Sequence, residues 1–499
     1  MTEENLSHRR TGENLIGLRR GKSFEQHPAT TTDCRDVGQV SIDVLPDDVL
    51  LETFYYYREQ GGGTEAWIRL VHTCRKWRNI VFVSPRRLNL QLICTARKPV
   101  REKLYIWPPL PIVISSSVFP RSGMDNIIAA LEHNDRIHQV KLYNFPSSLM
   151  EQMLAAMQKP FPSLARLWLE LREETVPIIP DSFLGGFAPL PLLQLFRLSH
   201  IPFPFPGFRK LLLSAPNLVR LELYHIPHSG YIPPEAMVTC LSALTRLESL
   251  FLGLQSPRSH PAPGGRRPSQ RSLTVLPSLS WLWLKGASEY VEDIISRIDA
   301  PLLDYLSITF FHRLIFDTPQ LAQFIGRTPK FKTLNEANIF FDSSSVIFSL
   351  TEIVDSTSGL EFRVLCGQPD WELSALSQVC ATSLPQALIP TVERLYILES
   401  SQAELSWQVD IENGQWLELL RSFAAVKGFY LCKKFAPRIA PTLQELVGES
   451  VSEVLPTLQS LFLEELHSSG PVQEGFDQFV TARRLACYPI AVSSWVRMM

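Results

Sequence analysis

The chain has 499 residues, 45% hydrophobic and 20% charged, a globular composition in a chain too long for one compact core. Its 48 basic and 50 acidic side chains leave a formal charge of −2, which argues against a general affinity for the nucleic-acid backbone, since that needs clustered positive charge. No run approaches the roughly 18 apolar residues of a membrane span, Met1–Asn5 lacks the order of a signal peptide, and none of the 8 cysteines forms a Cys-x-x-Cys pair. No nucleic acid, membrane, metal or cofactor is therefore expected. The thiols read as reduced and mostly buried, which places the chain inside the cell, in cytoplasm and/or nucleus.

Residues 1–39 lack apolar periodicity and are expected to be a disordered tail. Residues 40–88 then carry two helical patterns. Pro46 suits a first helical turn, and Asp47 and Asp48 suit the positive end of the helix. Leu50, Phe54 and Tyr57 fall on one face. After Gly61-Gly62-Gly63, a second helix is expected, with a stripe of Trp67, Leu70, Val71, Cys74, Trp77 and Val81. A unit of fewer than about fifty residues buries too little apolar surface to be comfortably stable alone, so it calls for a partner.

This pair of patterns resembles an F-box. The residues that carry the resemblance are Leu45, Pro46, Asp48 and Leu50, followed by Leu70, Cys74, Arg75, Lys76 and Trp77. Thr73 replaces the family's aliphatic residue, and Ser84-Pro85-Arg86-Arg87-Leu88 replaces its Leu-Trp ending, as in the F-box-like domains of fungi. The resemblance implies docking on the Skp-type adaptor of a cullin-RING ubiquitin ligase, with the rest of the chain selecting a substrate. Leu45, Pro46, Leu50, Phe54, Leu70, Val71, Cys74 and Trp77 would then supply the adaptor contact and its supporting core.

Residues 89–130 read as a connector and first layer, and the basic run within 86–103 as a solvated surface. From residue 131 to 470 an apolar triplet recurs with spacing 0, +3, +5, usually two residues after a proline. Examples are Leu164/Leu167/Leu169, Leu193/Phe196/Leu198, Leu218/Leu221/Leu223 and Leu279/Leu282/Leu284. Triplets starting at 137, 164, 193, 218, 247, 279 and 303 are 27, 29, 25, 29, 32 and 24 residues apart. The period and the triplet resemble leucine-rich repeats. One unit cannot bury its apolar face alone, so neighbours must stack into a solenoid. The segments Met150–Met157 and Tyr290–Ile295 read as helices between strands. The pattern weakens over 329–365, where Phe331 and Leu334 fit and Glu336 breaks it. The family's asparagine at +8 is replaced by Phe145, Ile201, Ile226, Phe311 and Leu466, which predicts uneven curvature. The expected fold is α/β, a small helical F-box module followed by an irregular leucine-rich-repeat solenoid with parallel strands on its concave face.

Residues 255–272 read as a disordered loop between repeats, and 471–499 as a C-terminal cap or tail. No catalytic or phosphate-binding motif is present in the sequence. His225 and His228 read as residues of a solvated loop. The strand positions +2, +4 and +6 should point outward. They include Trp168, Arg197, Glu222, Tyr224, Phe251, Trp281, Trp283, Tyr305, Tyr396 and Tyr430, a set rich in the side chains of binding hot spots. These are the candidate contacts to a protein substrate. The expected function is therefore a non-catalytic substrate-recognition subunit of an adaptor-bound ubiquitin ligase. The alternative is a leucine-rich-repeat interaction scaffold without ligase assembly.

Overall fold

The computed structural model describes residues 42–62, 66–97, 104, 107–117, 123–171, 178–256, 273–311, 318–342, 345–352, 358–365, 369–380, 384, 388–399, 413–446, 451–464 and 470–496. The expected tail at 1–39 and nearly all of the expected loop at 255–272 lie outside them.

Among the described residues the N-terminal module has three α-helices rather than two: α1 (Asp47–Tyr57), α2 (Ala66–Val71) and α3 (Arg75–Val83). The break falls at Cys74, whose backbone is extended and whose Sγ accepts the Trp77 N–H at 3.4 Å. That cap starts α3 on a new axis, so the stripe from Trp67 to Val81 is shared between two helices. Leu50 and Phe54 are buried, whereas Tyr57 is exposed. The module does not stand alone. Trp67 meets Trp107 edge-on at 5.3 Å, Phe82 meets Trp107 at 5.7 Å, and Leu88, Leu90 and Leu92 continue the same core into the sheet. The partner this small unit needs for burial is thus the rest of its own chain.

Among the described residues, sixteen strands form one sheet. In chain order they are β1 (Leu92–Cys94), β2 (Ile112–Ser116), β3 (Ile137–Phe145), β4 (Arg166–Leu171), β5 (Leu195–Ser199), β6 (Arg220–Ile226) and β7 (Ser249–Leu254). After the short β8 (Thr274–Val275) come β9 (Trp281–Gly286), the short β10 (Ile298–Asp299) and β11 (Tyr305–Phe310). The last seven are β12 (Glu336–Asp342), β13 (Ser345–Thr351), β14 (Gly359–Leu365), β15 (Arg394–Glu399), β16 (Gly428–Leu431), β17 (Ser460–Glu464) and β18 (Ala491–Trp495). Strands β8 and β10 pair with each other outside the main sheet.

The pairing register is the triplet register. Leu167, Phe196, Leu221 and Leu250 align across β4–β7, as do Leu169, Leu198, Leu223 and Leu252. All are buried. Parallel strands need crossovers, and most are helices that pack an apolar stripe on the inward leucines. The two helices expected from sequence are Ser147–Ala156, burying Met150, Met153 and Leu154, and Ser288–Ile295, burying Tyr290, Val291 and Ile294. The result is a mixed α/β array with a large, mostly parallel sheet, consistent with a leucine-rich-repeat-like solenoid.

The sheet runs from Leu92, within the expected first layer at 89–130, to Trp495, and the segment expected to be a C-terminal cap or tail contains the helix Pro471–Leu485 followed by one more strand. Fully buried Arg483 ties that helix to the array by donating to the Val451 and Pro456 carbonyls at 3.1 Å each. The weak region 329–365 holds a triplet in another register: Leu334, Ala337 and Ile339 are buried, and Ala337 and Ile339 align with Leu395 and Ile397. There β12, β13 and β14 form an antiparallel meander, giving the spatial order β11-β14-β13-β12-β15.

The absent asparagine at +8 has a local counterpart. Asn144, His200 and His225, all at +7, take left-handed backbone with φ of 51°, 62° and 50°. Asn and His tolerate that region better than most residues. The turn sends the next residue back inward, so Phe145, Ile201 and Ile226 are buried; Phe311 is buried too, without such a turn before it. Leu466 lies outside the described residues.

Candidate functional site

Two surfaces collect the residues singled out from the sequence. The first is the helical module. Leu50, Phe54, Leu70 and Val71 are interior residues, at 0–7% exposure. They support the module and have no surface to offer a partner. Trp77 is half-buried, its ring 4.7 Å from Phe54, and its buried indole N–H meets no acceptor among the described residues. Cys74 is half-buried as the cap of α3. Leu45 is half-buried, and its carbonyl accepts Lys76 Nζ at 3.2 Å, with Asp47 3.7 Å from the same ammonium. Pro46 is exposed. The exposed apolar surface here includes residues that sequence reasoning passed over: Val44 just before α1, and Val49 and Tyr56 on it, are 73%, 45% and 60% exposed. Val49, Thr53 and Tyr56 share one outer stripe at i, i+4, i+7.

The second surface is the outward face of the strands. Register places Lys141, Trp168, Arg197, Glu222, Phe251, Trp283 and Ser307 side by side across β3–β11. Beside them Trp281 stacks on Tyr305 at 4.1 Å. Tyr224 packs against Phe251 at 5.8 Å and Trp283 at 5.5 Å. Gly253 makes room for the Trp283 ring, since a Cβ there would meet its Cζ3 at 2.8 Å. Beyond the meander, Tyr396 stacks on Tyr430 at 4.1 Å and Tyr430 on Phe462 at 4.3 Å. Trp495 closes over that stack, 6.3 Å from Tyr396 and 5.8 Å from Tyr430, and donates to the Leu431 carbonyl at 3.2 Å.

The aromatic candidates are half-buried rather than exposed, because they cover one another. Glu222 departs further from expectation: it is buried, accepting Arg197 at 2.9 Å and pairing with Arg220. A carboxylate held between two guanidiniums organises the face and has nothing left for a partner. Arg197 also lies over the rings of Trp168 at 4.0 Å and Tyr224 at 4.5 Å, and sits 3.5 Å from Glu170. Burial, with Glu222 second, pushes the Tyr224 hydroxyl well above its usual range. The Tyr305 hydroxyl donates to Glu361 at 3.0 Å, and burial with that carboxylate raises its pKa likewise.

Sequence reasoning missed Tyr143, Glu170, Lys285, Glu361 and Trp495, which the register brings onto the face, whereas Phe462 is an outward +4 position readable from the triplet. Their outward parity was readable, but their pairing depends on strands far apart in sequence. It also misplaced His225. That residue is half-buried and stacks on His200 at 4.3 Å with an interplanar angle of 7°. Burial, then His200, Lys285 and Arg197, lowers its pKa to about 4.

Among the described residues, no group of three His, Cys, Asp or Glu side chains is arranged to hold a metal ion. No helix of those residues is long and apolar enough to cross a membrane.

No family model matches the chain, and no curated protein matches it. One similar solved structure is that of the leucine-rich repeat-containing protein LegL7 from Legionella pneumophila. It shares 12% identity, covers 65% of this chain and 93% of its own, and has a TM-score of 0.28. At that score the likeness bears no weight on function.

Proposed function

We propose that this chain is a non-catalytic recognition subunit. The helical module docks on a Skp-type adaptor, and through it on a cullin-RING ubiquitin ligase, while the outward strand face holds a protein substrate. One observation carries the reading: α1 turns Leu50, Leu51 and Phe54 into the core and leaves Val49 and Tyr56, with Val44 and Pro46 just before the helix, facing out. Exposed apolar side chains on one face of a helix whose other face is buried suit a docking surface. The receptor's contribution is proximity, which raises effective concentration without any chemistry of its own.

The test is co-precipitation of the purified adaptor with wild type and with a Val49→Asp, Tyr56→Asp variant. Binding by wild type and loss in the variant is the expected result. Equal recovery of both, or recovery of neither, overturns the ligase assignment. Leu50→Asp is the wrong probe, since it places a charge in the core and unfolds the module.

A second reading, an interaction scaffold without ligase assembly, is favoured by the module's inner face. Trp67, Trp107 and Leu90 already give that face its partner within the chain. Failure of adaptor binding with an intact fold would select it.

A further inference from the structure

The outward positions of β3–β6 carry Lys141, Arg166, Arg197 and Arg220 against Glu170 and Glu222. Glu222 is buried between Arg197 and Arg220, and Glu170 lies 3.5 Å from Arg197. Both carboxylates are therefore engaged by arginines in the middle of the face. Among the described residues, Lys141 and Arg166 have no carboxylate in ion-pair contact and stand as a positive surplus at the β3–β4 end. Lys141 is held below the usual lysine range by burial and then by Arg166 and Arg197. An anion placed between these groups removes that repulsion.

The rings here already have cationic neighbours. Trp168 has Arg197 at 4.0 Å, Lys141 at 5.3 Å and the Tyr143 ring at 4.7 Å in a T-shaped contact. Tyr224 has Arg197 at 4.5 Å. Single-stranded nucleic acid needs open ring faces on which bases can stack, and this patch leaves little of either ring for that. What remains accessible is Lys141, 5.3 Å from the Trp168 ring, and exposed Arg166 on the same strand as that ring, a pair that suits carboxylates on a peptide.

We propose that the β3–β6 surface binds an acidic peptide segment that lies across the strands and sets two carboxylates against Lys141 and Arg166. This rests on the strand-face reading of substrate recognition and gives that substrate a chemistry. At about 4.8 Å between strands, β3 to β6 spans roughly 14 Å, the reach of about four extended residues.

The probe is fluorescein-labelled hexaglutamate, followed by fluorescence anisotropy with the full chain. Wild type is expected to bind, with affinity falling as salt screens the contact. K141Q/R166E should weaken binding by about tenfold or more. E170Q should tighten it several-fold, a gain that misfolding cannot mimic. No anisotropy change, equal binding by wild type and K141Q/R166E, or tighter binding of an oligouridylate of similar length overturns the proposal. Adaptor co-precipitation on the same preparations separates the two readings. Adaptor binding without hexaglutamate binding defeats the acidic-peptide assignment alone. Hexaglutamate binding without adaptor binding defeats the ligase assignment alone.

Discussion

The indole N–H of Trp67 donates to the carbonyl of Gln91 at 3.2 Å, fastening the helical module to the chain just before its first sheet strand. Trp67 is also buried against Trp107 and Phe82. Trp67→Ala should cost about 3–5 kcal/mol, because the cavity lies where module and sheet share one core. Trp67→Phe keeps most of the packing and should cost less, with the hydrogen bond alone contributing about 1 kcal/mol. Urea unfolding followed by circular dichroism measures both. Equal costs for the two variants would mean that packing is not what holds the junction.

Glu222 sits between two arginines in the middle of the outward face. Glu222→Gln removes the charge and leaves both guanidiniums beside a neutral amide. The expected loss is about 1.5–3 kcal/mol, the range for hydrogen bonds to charged groups, since Arg197 and Arg220 keep 23% and 46% side-chain exposure. Denaturant midpoints at low and high salt check it. A loss near zero would mean that solvent already satisfies Arg197 and Arg220.

Gly253 and Trp283 form a size-matched pair across neighbouring strands. Gly253→Ala drives a methyl into the ring, and overpacking of this kind typically costs about 1–3 kcal/mol. Gly253→Ala combined with Trp283→Leu should recover part of that loss. Additive losses in the double variant, read from thermal unfolding, would show that the contact is not limiting.

The His225 pKa near 4 ties stability to pH. Folding lowers this pKa below the ordinary histidine value of about 6.5, so the unfolded chain binds more protons between the two. The contribution is therefore fully present above about pH 6.5 and is lost progressively as pH falls toward 4. Burial and the stacked His200 predict a loss on the order of 1–3 kcal/mol across that window. His225→Asn tolerates the left-handed backbone and removes the titration. Unfolding free energies at pH 7 and pH 5 should converge in this variant relative to wild type. An unchanged pH slope would locate the effect elsewhere.

The array was legible because large aliphatic residues recur in a fixed order. Leu167 and Leu169 announce a strand, and the same spacing twenty-nine residues later announces the strand beside it. Ala337 hid one unit, since a methyl side chain at +3 reads as a gap although it is fully buried. The outward aromatics were legible by strand parity. Their mutual coverage was not, because Arg197 meets Glu222 and Tyr305 meets Glu361 only once distant strands are in register. Leu50 and Phe54 show the matching limit in the module. Periodicity marks an apolar face, while what covers it depends on residues as distant as Leu90 and Trp107.

The meander at β12–β14 has a consequence for how the chain is assembled. From Leu92 to Phe310 each main-sheet strand joins the one completed before it, so order can spread in the direction of synthesis. At Glu336 that growth halts. Strand β12 lands three places from β11, and the space between fills only when β13 and β14 turn back into it. The array therefore consists of two growth zones joined by a clasp that closes late. A chain ending soon after Phe310 retains every parallel pair of the first zone, whereas one ending between Thr351 and Gly359 carries β12 and β13 as a hairpin with neither flanking strand. Both chains leave the β11 edge without its β14 partner, and the second adds the open edges of that hairpin, so the longer second chain is the species expected to aggregate more.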